Sequence, residues 1–234
     1  MKFQRITTAL AIGAALIAAG CQQKPAAEAT ATLTDDQKAI YAFGAAIGKQ
    51  VGQQTTQLRF TPEEIKIFHN ALGDSLTGKE PAVKIEDYQE KFQALAEARM
   101  AAGAAEAKQQ GADLLVSAAQ EPGAVKTDSG LIFKTITPGT GPSPVATDTV
   151  RVHYHGTLPN GTVFDSSVDR GEPAEFALNR VIPCWTEGVQ HMKVGEKAKL
   201  VCPAAIAYGD RAAGSIPAGS TLIFEVDLLS IQSK

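Results

Sequence analysis

The chain has 234 residues, 44% of them apolar and 20% charged, with a formal net charge of −3. That length accommodates one large domain or two ordinary ones, with enough apolar material for a sizeable core. It has no basic excess, which excludes the footprint of a nucleic-acid binder, so no nucleic-acid partner is expected.

Residues 1–20 have the layout of a signal peptide. Lys2 and Arg5 form a short basic start, and Ala9 to Ala19 is an apolar run too short to span a bilayer comfortably. Ala18, Ala19 and Gly20 stand directly before Cys21. Small residues before a cysteine resemble a bacterial lipobox, in which the thiol accepts a diacylglyceryl group and cleavage leaves Cys21 first. The expectation is a periplasmic protein held at the membrane by a lipid on Cys21, with the polar Gln22 directing it to the outer membrane. Residues 21–33, polar and alanine-rich, read as the lipidated tether.

Residues 34–119 read as an all-α segment. Thr34 with Gln37 fits a capping box, and Ile40, Phe43, Ile47 and Val51 follow on one face. Thr61-Pro62-Glu63-Glu64 is a second start, with a capping Thr, Pro at the first helical position and Glu closing the box. From Ile85 to Ala119 the composition predicts one long helix, weakened by Gly103 and Gly111. Its stripe of Ile85, Tyr88, Phe92 and Leu95 gives way to alanines. Such a helix cannot bury itself, and the expectation is that it packs a partner subunit in a homodimer at one end and holds two domains apart at the other.

Glu121-Pro122-Gly123 ends the helix, and residues 120–234 change to strand patterning. Gly130 to Ile136 is one strand. Thr149 to His155 alternates, with Val150, Val152 and Tyr154 on one face. Asn160-Gly161 marks a hairpin turn. Cys184 to Met192 is the sole helical stretch, and Thr221 to Ile231 is a long apolar strand. The predicted fold class is therefore α+β: a C-terminal antiparallel sheet wrapped on one short helix, preceded by the all-α segment and its long connecting helix.

The residues exclude several chemistries. His153 and His155 share a strand face but have no Asp, Glu or Cys nearby in sequence to complete a metal site. They read as structural or exposed histidines, and no metal or other cofactor is expected. Ser166 and Ser167 follow Asp165 without a nucleophile elbow. Gly139-Thr140-Gly141 runs into Pro142 and is a loop, not a phosphate cradle. Cys184 and Cys202 of an exported chain lie in an oxidising compartment, as two buried thiols or as a disulfide. What remains is a set of aromatic and aliphatic residues with one acid, Asp165.

The order of the motifs decides how to read that set. VHYHGTLPNGTVFDSS (152–167), VIPCWTEGV (181–189), IAYGD (206–210) and IPAGSTLIFEVDLL (216–229) closely resemble the FKBP-type peptidyl-prolyl cis-trans isomerase domain, in the same order and over about 105 residues. The helical half resembles the macrophage infectivity potentiator-like secreted members. The resemblance implies isomerisation of X-Pro bonds in unfolded or partly folded proteins outside the cytoplasm, inhibition by macrolides of the FK506 type, and a hydrophobic cleft. It puts Tyr154, Phe164, Val181, Trp185, Ile216 and Phe224 in substrate contact, with Trp185 as the floor. It gives catalytic roles to Asp165, to the Ile182 backbone N–H and to the Tyr208 hydroxyl. Ala174 and Ser215 depart from aromatic and apolar family residues at the cleft rim, and the loop from Phe176 to Val181 is short. Cys184 replaces a usual Gly and Cys202 an aliphatic residue. In the fold that the resemblance implies, the two lie close enough to pair, and their joint appearance is read as a disulfide. The alternative to an isomerase is a periplasmic chaperone that binds unfolded chains through its helices.

Overall fold

The computed structural model describes residues 33–232. The expected signal peptide, the lipidation site Cys21 and all but the last residue of the tether lie outside the described residues. Contacts divide the chain into two units, 1–48 and 49–234. The described part of the first is one exposed helical stretch. It opens helix α1 (Asp35–Thr55), where Thr34 N–H donates to Gln37 Oε1 at 2.9 Å and Gln37 N–H to Thr34 Oγ1 at 3.3 Å. Ile40 and Phe43 on this stretch are about 70% exposed.

In the second unit, helix α2 (Pro62–Leu76) carries the full Thr61/Glu64 capping box and buries no residue. Ile67 and Leu76 on it are 69% and 88% exposed. A polar hub joins it to the long helix α3 (Gln89–Ala119). Arg99 holds Glu64 through two bonds of 2.6 and 3.0 Å and also donates to the Leu58 carbonyl. The Arg99 bonds, then the Thr61 N–H, hold the Glu64 carboxyl down at a pKa of about 2.

Helix α3 starts later than expected. Its α-helical turns begin at Gln89, after a 3₁₀ turn over Ile85–Tyr88, and Tyr88 at the boundary provides no side-chain cap. Its C-terminal end packs on the sheet. Ala118, with Leu114 and Leu115, packs on Ile132 and Val201, and Glu121 bridges Lys134 and Lys199 at 3.0 and 2.7 Å. Gly111, which costs the helix about 1 kcal/mol relative to Ala, is buried there because Thr221 comes too close for a side chain: a Cβ would lie 2.9 Å from Thr221 Cβ. The glycine that weakens the helix in sequence admits the residue that leads into β7.

The sheet has seven strands, every pair antiparallel: β1 (Ala124–Lys126), β2 (Ile132–Thr137), β3 (Thr149–Thr157), β4 (Val163–Ser166), β5 (Ala174–Ala177), β6 (Lys197–Cys202) and β7 (Leu222–Gln232). Their order is β1-β2-β6-β7-β3-β4, with β5 also on β3. The two halves of β3 thus have different partners, Val150 opposite Phe176 of β5 and Gly156 opposite Asp165 of β4. A one-turn helix α4 (Ser167–Arg170) follows β4. The helical pattern there is too short to read in sequence; the Ser166 side chain starts it by accepting from Asp169 N–H. Helix α5 (Pro183–His191), with Pro at its start, lays Trp185 and Val189 into the core against Leu131, Leu200 and the alternate residues Val150, Val152 and Tyr154 of β3. Cys184 at the head of α5 and Cys202 at the end of β6 are joined by a disulfide, with Cα atoms 5.8 Å apart and no exposed surface on either residue.

Candidate active site

An open cleft of about 630 Å³ lies between α5, the middle of the sheet and the loop 207–221. Its floor is aromatic. Trp185 is 4% exposed and is met edge-on by Tyr154, Phe176 and Phe224, with ring centroids 5.4, 5.3 and 5.3 Å away. Phe164 adds a further edge-to-face contact on Phe224 at 5.5 Å. Such pairs contribute about 0.5–1.5 kcal/mol each beyond area burial, so the floor is rigid. Trp185 Nε1 is buried without a hydrogen-bond partner among the described residues, which costs about 1–3 kcal/mol.

The polar corner is built by β3, β4 and α4. Ser167 Oγ accepts from Tyr154 N–H at 2.8 Å and ties the strand to the start of the helical turn. That tie brings Asp165 and Arg170 to Tyr154. The Tyr154 hydroxyl donates to Asp165 and accepts from Arg170 Nη2 at 3.0 Å, and Arg170 Nη1 pairs with the other oxygen of Asp165. Burial pushes the Asp165 pKa up, but the bonds from Tyr154 and Arg170 outweigh it and hold the carboxyl below its ordinary value. Burial, then the bond to Asp165, pushes Tyr154 above its own ordinary value. Through the neutral range the corner is therefore a carboxylate beside a neutral phenol.

The structure brings all the expected cleft residues to this one place: Tyr154, Phe164, Asp165, Val181, Ile182, Trp185, Tyr208, Ile216 and Phe224 all line it. Ile182 caps α5, its carbonyl accepting from Trp185 and Thr186 N–H. Its own N–H makes no backbone hydrogen bond among the described residues. Tyr208 is 43% exposed at the rim. Three lining residues were absent from the sequence-based set, Phe176, Arg180 and Ala213, as was Arg170. Phe176 stands two positions after Ala174, on the same strand face, and that period was the available signal. Ser215 lines a separate small cavity beside Gln57, so its departure from the family pattern leaves this cleft untouched. His153 and His155 stand outside the cleft, each hydrogen-bonded through Nδ1 to a serine, Ser167 at 3.1 Å and Ser166 at 2.9 Å.

Residues 141–229 match the family model described as FKBP-type peptidyl-prolyl cis-trans isomerase. Residues 36–135 match the domain amino terminal to it. The FKBP-type 22 kDa peptidyl-prolyl cis-trans isomerase of Escherichia coli is 46% identical, over 79% of this chain and 92% of its own length. The outer membrane protein MIP of Legionella longbeachae is 36% identical over 99% of both. The crystal structure of FkpA from Escherichia coli superposes with a TM-score of 0.59 at 34% identity, covering 85% of this chain and 97% of that one.

Proposed function

As the chain belongs to the FKBP-type peptidyl-prolyl cis-trans isomerases and has their activity, we propose that its clients are unfolded or partly folded proteins outside the cytoplasm, whose X-Pro bonds it turns in the cleft around Trp185. One observation carries this reading: an open, mostly apolar cleft whose one carboxylate is locked to a neutral phenol and an arginine. That arrangement holds no activated nucleophile, and none is needed. Rotation about a peptide bond is opposed by resonance, with a barrier of about 18–20 kcal/mol. Uncatalysed X-Pro exchange takes tens to hundreds of seconds. The twisted amide has less charge separation than the planar one, so an apolar floor favours it relative to water.

In this reading Tyr154, Phe164, Val181, Trp185, Ile216 and Phe224 seat the proline ring and its neighbours. The Ile182 N–H and the Tyr208 hydroxyl donate to substrate carbonyls, and Asp165 acts on the twisting amide. Macrolides of the FK506 type occupy the same cleft. The test is refolding of a protein limited by proline isomerisation. The slow phase should accelerate in proportion to enzyme, while aggregation of a proline-free client is suppressed only by the helical segment. Aggregation suppressed with no change in the slow phase would make the chaperone reading the better one.

The apolar residues left exposed on the helices, Ile40 and Phe43 in the first unit and Ile67 and Leu76 in the second, favour homodimerisation through the helical segment 34–119. Cys21 favours a lipid anchor at the outer membrane. In cells fed labelled palmitate, wild-type protein should take up label and Cys21→Ser should not, and the released variant should sediment as a dimer. Label on Cys21→Ser, or a monomeric boundary, would remove the anchor or the dimer respectively.

A further inference from the structure

One wall of the cleft is the loop 207–221, which contributes Tyr208, Ala213 and Ile216. Within it Arg211 N–H donates to the Tyr208 carbonyl at 3.3 Å and Ser220 Oγ to the Pro217 carbonyl at 2.7 Å. Ala213 and Ile216 exchange backbone bonds of 3.0 and 2.9 Å, and Gly219 N–H closes on the Gly209 carbonyl at 2.8 Å. Ile216 seats in the core beside Trp185 and Ala213 packs against it, while the stretch around Ser215 and Pro217 backs onto a cavity of about 150 Å³, whose lining includes Gln57, Met100, Ala107, Leu158, Ser215 and Pro217. Where the loop borders that cavity, it takes its position from the points at which it is held.

Those points come from the helical segment. Gln57, in the 3₁₀ turn Thr56–Leu58 that follows α1, donates through Nε2 to the carbonyls of Gly214 and Ile216, both at 2.9 Å. Two amide hydrogens meet two carbonyls, one of them on the residue whose side chain lines the cleft. Lys108 of α3 lays its stem on Gly219, where a Cβ would lie 2.7 Å from Lys108 Cγ, and its ammonium reaches Asp210 at 2.8 Å. Gly219 combines that contact with a φ of +75°, a conformation glycine adopts without strain. The Lys108–Asp210 pair is mostly exposed and holds weakly. Gln57 is half-buried and makes the two bonds nearest the cleft.

We propose that Gln57 is a positioning residue of the isomerase site: by holding the Gly214 and Ile216 carbonyls from behind, it fixes the wall that carries Ile216 and so sets how tightly a proline segment is held. The proposal rests on the cleft reading above. It assigns to a helical residue, far from the cleft in sequence, an effect on substrate binding. The floor of Trp185 and the Asp165 corner make no contact with Gln57, so the turning step itself is left intact.

Kinetics on the full mature chain test this, with wild type, Gln57→Ala, Gln57→Lys, Lys108→Ala and Asp165→Ala compared on a chromogenic proline peptide. Loss of two bonds that support ground state and transition state alike raises KM and spares kcat. Gln57→Ala should raise KM about fivefold with kcat within about twofold. Gln57→Lys keeps a donor of similar reach and should return KM to within about twofold of wild type. Lys108→Ala should change KM by less than about twofold. Amide exchange at Ala213 and Ile216 should be faster in Gln57→Ala while the melting temperature stays near that of wild type, which separates positioning from folding. Unchanged KM, a fall in kcat alone, or a Gln57→Lys variant as impaired as Gln57→Ala would overturn the proposal. If Asp165→Ala loses activity while Gln57→Ala is silent, only this inference fails; if Asp165→Ala is fully active, the cleft reading fails first.

Discussion

Asp165→Ala is expected to lower kcat/KM toward a proline peptide by about 10- to 100-fold. The carboxylate takes the Tyr154 hydroxyl on one oxygen and the Arg170 guanidinium on the other. A charge that favours the twisted amide over the planar one by about 1.4–2.8 kcal/mol is worth that much, since every 1.4 kcal/mol is tenfold in rate. Alanine leaves the phenol and the guanidinium at the edge of an apolar cleft without their common partner, free to draw in water where a twisted amide has to sit. The fold should persist, because the Asp165 side chain is 47% exposed and exposed ion pairs contribute little to stability. The loss should also be flat above about pH 5. The folded-state pKa of Asp165 lies below its ordinary value, so any stability it contributes is present above the unfolded value and is lost only as pH falls through the folded one. Peptide isomerisation across pH, with circular dichroism as control, measures this. Activity within twofold of wild type would take Asp165 out of the mechanism.

Replacing both Cys184 and Cys202 by alanine should cost about 3 kcal/mol of stability. The bridge joins positions 18 apart, and in the chain-entropy model a closed loop near that length contributes about that much by restricting the unfolded chain. For a chain of this size the melting temperature should fall by about 6–12 °C. Alanine is the proper replacement, since serine would bury an unpaired hydroxyl at sites with no exposed surface. Wild type unfolded in a reductant should show the same loss. Cys184 directly precedes Trp185, so the indole emission of the double variant should shift as the head of α5 loosens. A denaturation midpoint matching wild type under oxidising conditions would mean that the bridge does not contribute.

Sequence alone determined the parts that depend on neighbours a few residues apart. The Thr61/Glu64 box starts α2 where it was expected. The alternation of Val150, Val152 and Tyr154 set the buried face of β3, and the ordered motifs named the family and gathered the nine cleft residues before any coordinates. Caps, period-2 patterns and short motifs act over three to seven residues, and so they are written in the chain. Tertiary structure decided what depends on register and approach between distant segments. Arg170 joins Asp165 and Tyr154 because Ser167 ties α4 to β3. Phe176 enters the floor because β5 pairs with the first half of β3. The C-terminal end of the long helix packs on Ile132 and Val201, and Gly111 leaves room for Thr221 just before β7, while Gln57 meets the cleft loop across more than 150 positions. No local pattern encodes such contacts, because each is fixed by how two surfaces fit after both have folded.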